Sequence, residues 1–495
     1  MCKLCFDNEK YVQMQSQKIK ERISHYGKLY MEFGGKLFDD FHASRVLPGF
    51  KPDSKLKMLL QLKDDAELLI VISAYDILNN KVRNDLGISY DQDVLRLIDA
   101  FNSVQLEVNS VVVTQYNSEP DVDAFIEHLQ KLNIKVYKHY NIKGYPSNVE
   151  LVASDEGFGK NEFVETTKSL VVVTAPGPGS GKMATCLSQL YHENKRGTKA
   201  GYAKFETFPI WNLPLKHPVN LAYEAATADL NDVNMIDPFH LEAYGTLAVN
   251  YNRDVEVFPV LDSLFKKIWG ESPYKSPTDM GVNMIGYCIY DNEEAIRSAE
   301  QEIIRRYYSA KAKFVKNGEN NENEIYKIEL LLKQANVTLE KRPVIARSLK
   351  KAEETGAPAT AIELADGRII TGKTSSLLGA SAAMLLNALK ALAGIPDNQP
   401  LISPAIIEPL QDLKLKHLGN SNPRLHTDEI LVALAICAVT SPSAQLAMNQ
   451  LEKLKDCEMH SSVLLANVDY TTLKRLGIRL SCEPRYHTKK LYHPN

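Results

Sequence analysis

Several functions are excluded by what this sequence lacks. No apolar run is long enough to cross a bilayer, and the opening "MCKLCFDNEK" has no apolar core of the kind a secretory signal carries. A net charge of −3 supplies no field for nucleic acid or an anionic membrane, so neither is expected as a partner. The seven cysteines, odd in number and scattered, make no disulfide framework. Cys186 and Cys437 sit in apolar helical patterns as reduced core residues, which points to the cytoplasm. Cys2 and Cys5 have metal or redox spacing, but no second pair answers them. There is no His-Glu-x-x-His; His240 and Glu242 stand two apart without a third ligand. There is no Gly-x-Ser-x-Gly elbow either. His460, followed by Ser461 and Ser462, reads as the start of a strand.

What is present is an alternation of strands and helices. "ELLIVISA", "SVVVTQY", "IKVYKHY" and "SLVVVTAP" are apolar strands, separated by helical stretches such as "DQDVLRLIDAFNSV" and "DVDAFIEHLQKL". Such a pattern predicts an α/β fold with a largely parallel sheet covered on both faces. At 495 residues, about three domains are expected. The pattern places them at 1–219 (α/β, phosphate-binding), 220–341 (mainly helical) and 342–495 (a second α/β block). In the last, "ATAIELADGRIITGKTS" reads as a hairpin about an Asp-Gly turn, and its apolar helices make a homo-oligomer the expectation.

The chemistry concentrates in "SLVVVTAPGPGSGKMATCLSQL", which is strand, glycine turn, lysine and helix in order. A Walker loop needs Gly-x4-Gly-Lys-Ser/Thr, with backbone N–H groups around the phosphates and a hydroxyl on Mg²⁺. Gly181 and Lys182 fit, preceded by Gly177, Gly179 and Ser180. Pro176 replaces the first glycine, and Met183 replaces the hydroxyl. Thr185 or Ser180 are the substitutes within reach. The helix N-terminus favours an anion whatever the loop's exact match. The residues therefore predict anion binding more firmly than use of a triphosphate with Mg²⁺.

Two further segments add candidates. "YMEFGGKLFDDFHASRVLPGF" packs Gly34, Gly35, Lys36, His42 and Arg45 directly after a strand. The double glycine admits a ligand closely, Lys36 and Arg45 can hold phosphate or carboxylate, and His42 can move a proton near neutral pH. Asp155, just upstream of the glycine turn, and Asp229 are the candidate Mg²⁺ ligands. Residues 204–240, including Lys204, Glu206 and Trp211, read as substrate-cleft material.

The blocks "KLYMEFGGKLFDDFHASRVLPGF", "APGPGSGKMATCLSQLYHE" and "AGYAKFETFPIWNLPLKHPVNLAYEAATADLNDVNMIDPFHLEAYG" resemble a bacterial family of uncharacterised proteins, classed as a domain of unknown function and common in Gram-positive bacteria. The likeness runs the whole chain, through "GIRLSCEP". Some members carry an ATP-dependent peptidase label. The resemblance implies a multi-domain cytosolic α/β protein whose C-terminal block is layered like the cytidine deaminases. The deaminase zinc ligands are missing: the helix "LLGASAAMLLNALKAL" holds neither His nor Cys with a Glu, and Cys482-Glu483-Pro484 is in the wrong order. Three expectations follow. One is an enzyme that binds a phosphorylated ligand such as ATP, with Mg²⁺ as a possible companion, and transfers phosphoryl or ligates a small molecule, using Lys182, Lys36, Arg45 and His42. The second is a non-catalytic metabolite or nucleotide sensor. The third, a metal-dependent peptidase, is disfavoured.

Overall fold

The computed structural model describes residues 3–34, 37–38, 40–83, 86–318 and 321–487. They form two compact units: one of 4–224 with 232–295, the other of 225–231 with the chain from 296 onward. The segment 220–341, read from the sequence as a domain of its own, is thus divided between the two.

In chain order the strands of the first unit are β1 (Lys28–Phe33), β2 (Ala66–Ser73), β3 (Val82–Arg83), β4 (Ile88–Ser89), β5 (Val108–Tyr116), β6 (Lys135–Tyr140), β7 (Leu170–Thr174), β8 (Ala200–Phe205), β9 (Asn234–Ile236), β10 (Val249–Tyr251) and β11 (Gly281–Val282). Seven of them make one sheet in the order β11-β8-β1-β7-β2-β5-β6. Every neighbouring pair in it is parallel. The central strands β2 and β7 are buried along their whole length, as their β-branched and leucine runs require of a sheet covered on both faces. β3 with β4, and β9 with β10, are small antiparallel pairs. β9, β10 and β11 lie in the stretch expected to be mainly helical; runs of two or three residues between Asn, Asp and Pro carry no alternation to read.

The helices Lys182–Lys195 and Asn252–Trp269 cover one face of this sheet. Leu187, Leu190, Leu261, Leu264 and Phe265 pack there on Tyr30, Val71, Val112, Val171 and Tyr202. Burying each such leucine contributes roughly 1.5–3 kcal/mol. The far end of helix Lys182–Lys195 is held by polar contacts. Tyr30 donates to Glu193 at 2.8 Å, Lys28 pairs with Glu193 at 2.7 Å, and Gln189 bonds both the N–H and the carbonyl of Val164.

The second unit is built on β12 (Ala359–Glu363), β13 (Ile369–Lys373), β14 (Glu458–Ser461) and β15 (Arg479–Cys482), in the order β13-β12-β14-β15. β12 is antiparallel to both its neighbours, and β14 is parallel to β15. The expected hairpin about Asp366-Gly367 is β12–β13, and His460 lies within β14. A buried ionic lattice fastens this sheet to the helix that begins at Asn292. Arg342, fully buried, ion-pairs with Glu458 and donates to the carbonyls of Met459 and Arg479 at 2.9 and 3.1 Å. Arg305 meets the same Glu458 at 2.5 Å. Burial raises the Glu458 pKa, but Arg305, Arg342 and Arg479 outweigh it and hold the carboxyl at about 2. A carboxyl depressed in the folded state contributes stability that is complete above its usual value and is lost as pH falls through the folded value. The second unit should therefore lose on the order of 3 kcal/mol between pH 5 and pH 2 from this group. Hydrogen exchange of the β12 and β14 amides across that range measures the loss, and Glu458→Gln should flatten its slope.

Candidate functional site

In an open parallel sheet, ligands bind beyond the carboxyl ends of the strands, where neighbours send the chain in opposite directions. Here β2 leads outward to β5 and β6, while adjacent β7 leads back across β1 to β8. The glycine turn follows β7 at that point. The Ser180 hydroxyl donates to the Gly177 carbonyl at 2.8 Å and closes the turn. Thr114 on β5 donates to the Ser180 carbonyl at 2.7 Å, so the turn reaches over the end of β2. Gly181 has φ +91° and lies against Thr114, which would be 2.9 Å from an added Cβ. At Gly177 a Cβ would collide with the phenol oxygen of Tyr90. Packing alone therefore accounts for two of the three glycines.

Helix Lys182–Lys195 begins at Gly181 with no side-chain cap, and its first internal bond runs from Thr185 N–H to the Gly181 carbonyl at 2.9 Å. The amides of Lys182, Met183 and Ala184 have no acceptor among the described residues. Lys182 is half-buried, and makes no ion pair among the described residues. A cation at the positive end of a helix dipole is unfavourable without an anion, which gives this corner a standing demand for one. Met183 packs on the apolar cluster beneath the sheet face, so the position where a nucleotide-hydrolysing loop carries its metal-binding hydroxyl is turned into the core. Thr185 is fully buried, and its hydroxyl has no partner among the described residues.

Beside the turn stands a charged cluster. Glu32 of β1 is in register with Lys204 of β8, which puts both on one face near the carboxyl ends. Tyr202 donates to Glu32 at 2.9 Å. Lys204 pairs with Glu206 at 3.0 Å and with Asp254, in the first turn of helix Asn252–Trp269. The Trp211 indole N–H donates to Glu206 at 3.3 Å. Burial pushes the Glu206 carboxyl up to about 7; Asp254 adds to that rise, and Lys204 offsets only part of it. Burial also pushes the Cys186 thiol up, with Glu32 raising it further and Lys182 opposing. The turn's lysine and the cluster thus act on one buried group. A carboxyl titrating near neutrality can take and return a proton.

The other expected residues are placed as follows. Gly34 directly follows β1, and its carbonyl accepts from Lys55, a buried lysine paired with Asp40 at 2.9 Å. Gly35 and Lys36 lie outside the described residues. His42 packs its ring edge-on to Phe208 and Tyr223, each 5.3 Å away, and Arg45 sits half-buried in helix Phe41–Val46. Asp155 is not brought to the turn. It ion-pairs with Lys195 at the opposite end of helix Lys182–Lys195, roughly 20 Å along its axis. Asp229 is exposed in the short helix Ala228–Leu230 and belongs to the second unit.

Residues 4–336 match the family described as domain of unknown function DUF1846, N-terminal, and residues 340–492 match its C-terminal counterpart. The chain belongs to the DUF1846 family. It is similar to UPF0371 proteins over nearly its whole length. One from Streptococcus pyogenes serotype M5 (strain Manfredo) is 56% identical over 490 residues, covering 99% of both chains. One from Streptococcus thermophilus (strain ATCC BAA-250 / LMG 18311) is 55% identical over 493 residues, covering 99% of this chain and 100% of that protein.

In this DUF1846 chain the residues that sequence reasoning passed over are Glu32, Lys55, Tyr202 and Asp254. A signal existed for the first: Glu32 is a charge between the apolar Met31 and Phe33 of "KLYMEF", just as Lys204 lies between Ala203 and Phe205 in "AGYAKF". The Glu206 environment carries a pH prediction. Folded, the carboxyl keeps its proton up to about 7, whereas unfolded it loses it near 4.5. Its contribution to stability is complete below the lower value and lost as pH rises to the higher one. Glu206→Gln should leave the thermal midpoint unchanged at pH 4 and raise it at pH 8, as read by tryptophan fluorescence.

Proposed function

We propose that the first unit binds a phosphorylated small molecule, ATP among the candidates, at the glycine turn, and transfers a phosphoryl group to, or ligates, a second small molecule. The observation that carries this reading is the uncapped start of helix Lys182–Lys195, with Lys182 making no ion pair among the described residues, at the point where the connections of the parallel sheet reverse direction. The phosphate would accept from the amides of 181–184. Lys182 would neutralise charge that develops on it. Glu206 would take the proton of an acceptor hydroxyl or amine, with Lys204 and the Trp211 indole positioning that carboxyl. His42 and Arg45 flank the same strand ends and suit the second reactant.

Mg²⁺ fits this corner poorly, since Met183 faces the core and Asp155 is committed to Lys195, so no step is routed through a metal. That same feature favours a second reading, a metal-free sensor of a phosphorylated metabolite. An assay that follows consumption of the phosphorylated ligand in the presence of candidate acceptors separates the two, because a sensor consumes none. The peptidase reading gains no support: among the described residues no three His, Cys, Asp or Glu side chains gather as a metal site. For the second unit we favour a deaminase-like layering without zinc chemistry, on the order β13-β12-β14-β15, acting as scaffold or as a contact between subunits.

Calorimetry with a nucleotide and phosphate panel, with and without Mg²⁺, tests the primary reading. Lys182→Ala should weaken binding roughly tenfold or more, as expected for loss of one charge-assisted hydrogen bond. No binding by any phosphorylated ligand at millimolar concentration would remove the proposal.

A further inference from the structure

Two polar side chains beside the glycine turn have no part in phosphate binding or proton transfer. Asp76 lies just past the end of β2 and is 3% exposed. Its Oδ1 pairs with Lys81 at 3.0 Å, while its Oδ2 is buried with no hydrogen-bond partner among the described residues. The Lys81 ammonium lies 4.9 Å from the centre of the Tyr90 ring. The phenol oxygen of Tyr90 rests against Gly177 and makes no hydrogen bond of its own among the described residues.

Strand register explains why these groups meet the turn. Ile70 of β2 pairs with Thr174, the last residue of β7, so β2 runs on to Ser73 past the point where the turn leaves β7. Ser73 in turn pairs with Thr114, whose hydroxyl holds the turn from the far side. The chain leaving β2 toward Asp76 therefore starts at the foot of the turn.

An ionised carboxylate oxygen only accepts, so a buried one without a donor is an unmet demand. Its charge is already answered by Lys81, and what it lacks is a donor rather than a second cation. A phenol hydroxyl both donates and accepts. Next to a site that takes phosphate, an acceptor and a hydroxyl together match the alcohol groups of a sugar.

We infer that the ligand of the glycine turn is a phosphorylated polyol, either a sugar phosphate or the ribose phosphate part of a nucleotide, whose hydroxyls donate to Asp76 Oδ2 and bond Tyr90. This rests on the phosphate reading above and adds the class of ligand.

The test is calorimetry on the full chain with methyl phosphate, ribose 5-phosphate, glucose 6-phosphate, ATP and 2′,3′-dideoxy-ATP. The expected result is a tenfold or greater advantage of a sugar phosphate over methyl phosphate, or of ATP over its dideoxy analogue; which pair shows it tells the two sources apart. Asp76→Asn and Tyr90→Phe should each remove most of that advantage and leave methyl phosphate binding unchanged. If Asp76→Asn does not fold, Tyr90→Phe and the wild-type comparison decide. Methyl phosphate binding with no gain from any hydroxyl overturns the inference and spares the phosphate reading. So does an Asp76→Asn variant that folds and weakens methyl phosphate equally. Binding of none of the five overturns both.

Discussion

Parallel pairing of β1 with β7 on one side and β8 on the other is the constraint from which the rest of the first unit follows. Because all three strands point the same way, their exits collect at one edge. A helix that returns antiparallel to them must begin at that edge. The register that sets Glu32 beside Lys204 also brings the glycine turn within reach of the same field. Shifting β8 by one residue would turn Lys204 to the other face and leave Glu32 without its partner.

The glycine turn answers two demands at once. Gly177 and Gly181 let the chain pass Tyr90 and Thr114 at distances no side chain allows, and this is a folding requirement. Gly179, exposed and with nothing near it, is required by its own backbone at φ +80°, whereas the bare amides that follow answer no such folding demand. Glycine content alone therefore overstates a phosphate loop. N–H groups without acceptors and an ammonium without an ion pair are the better indicators, and both are present among the described residues.

Much of this fold was legible in the sequence. Buried parallel strands are continuous apolar runs, and the turn chemistry of 175–182 announces itself. The site was legible only in part, for reasons that particular residues make plain. Asp155 is close to the turn in sequence but precedes β7, and in a parallel sheet whatever precedes a strand lies at its amino end. The same geometry makes the helix that starts at the turn finish beside Asp155 and deliver Lys195 to it. Glu32 and Lys204 were readable as charges in apolar strands, but their opposition depends on β1 and β8 being neighbours, a fact of topology. The division of 220–341 between two units was hidden because β11 joins the main sheet through two residues, too few to show a period.

Helix Lys182–Lys195 is fixed very unevenly along its length. Glu193 and Gln189 anchor one end in a buried network with Tyr30, Lys28 and Val164, whereas the opposite end has no side-chain cap and, among the described residues, no ion pair. A rod clamped at one end yields at the other. Fraying of such a helix starts at the free end and stops at the clamp, so an anion bound at the proposed site would both fill a charge deficit and stiffen the first turn. Occupancy of the site would then be written into the helix's rigidity more than into its position.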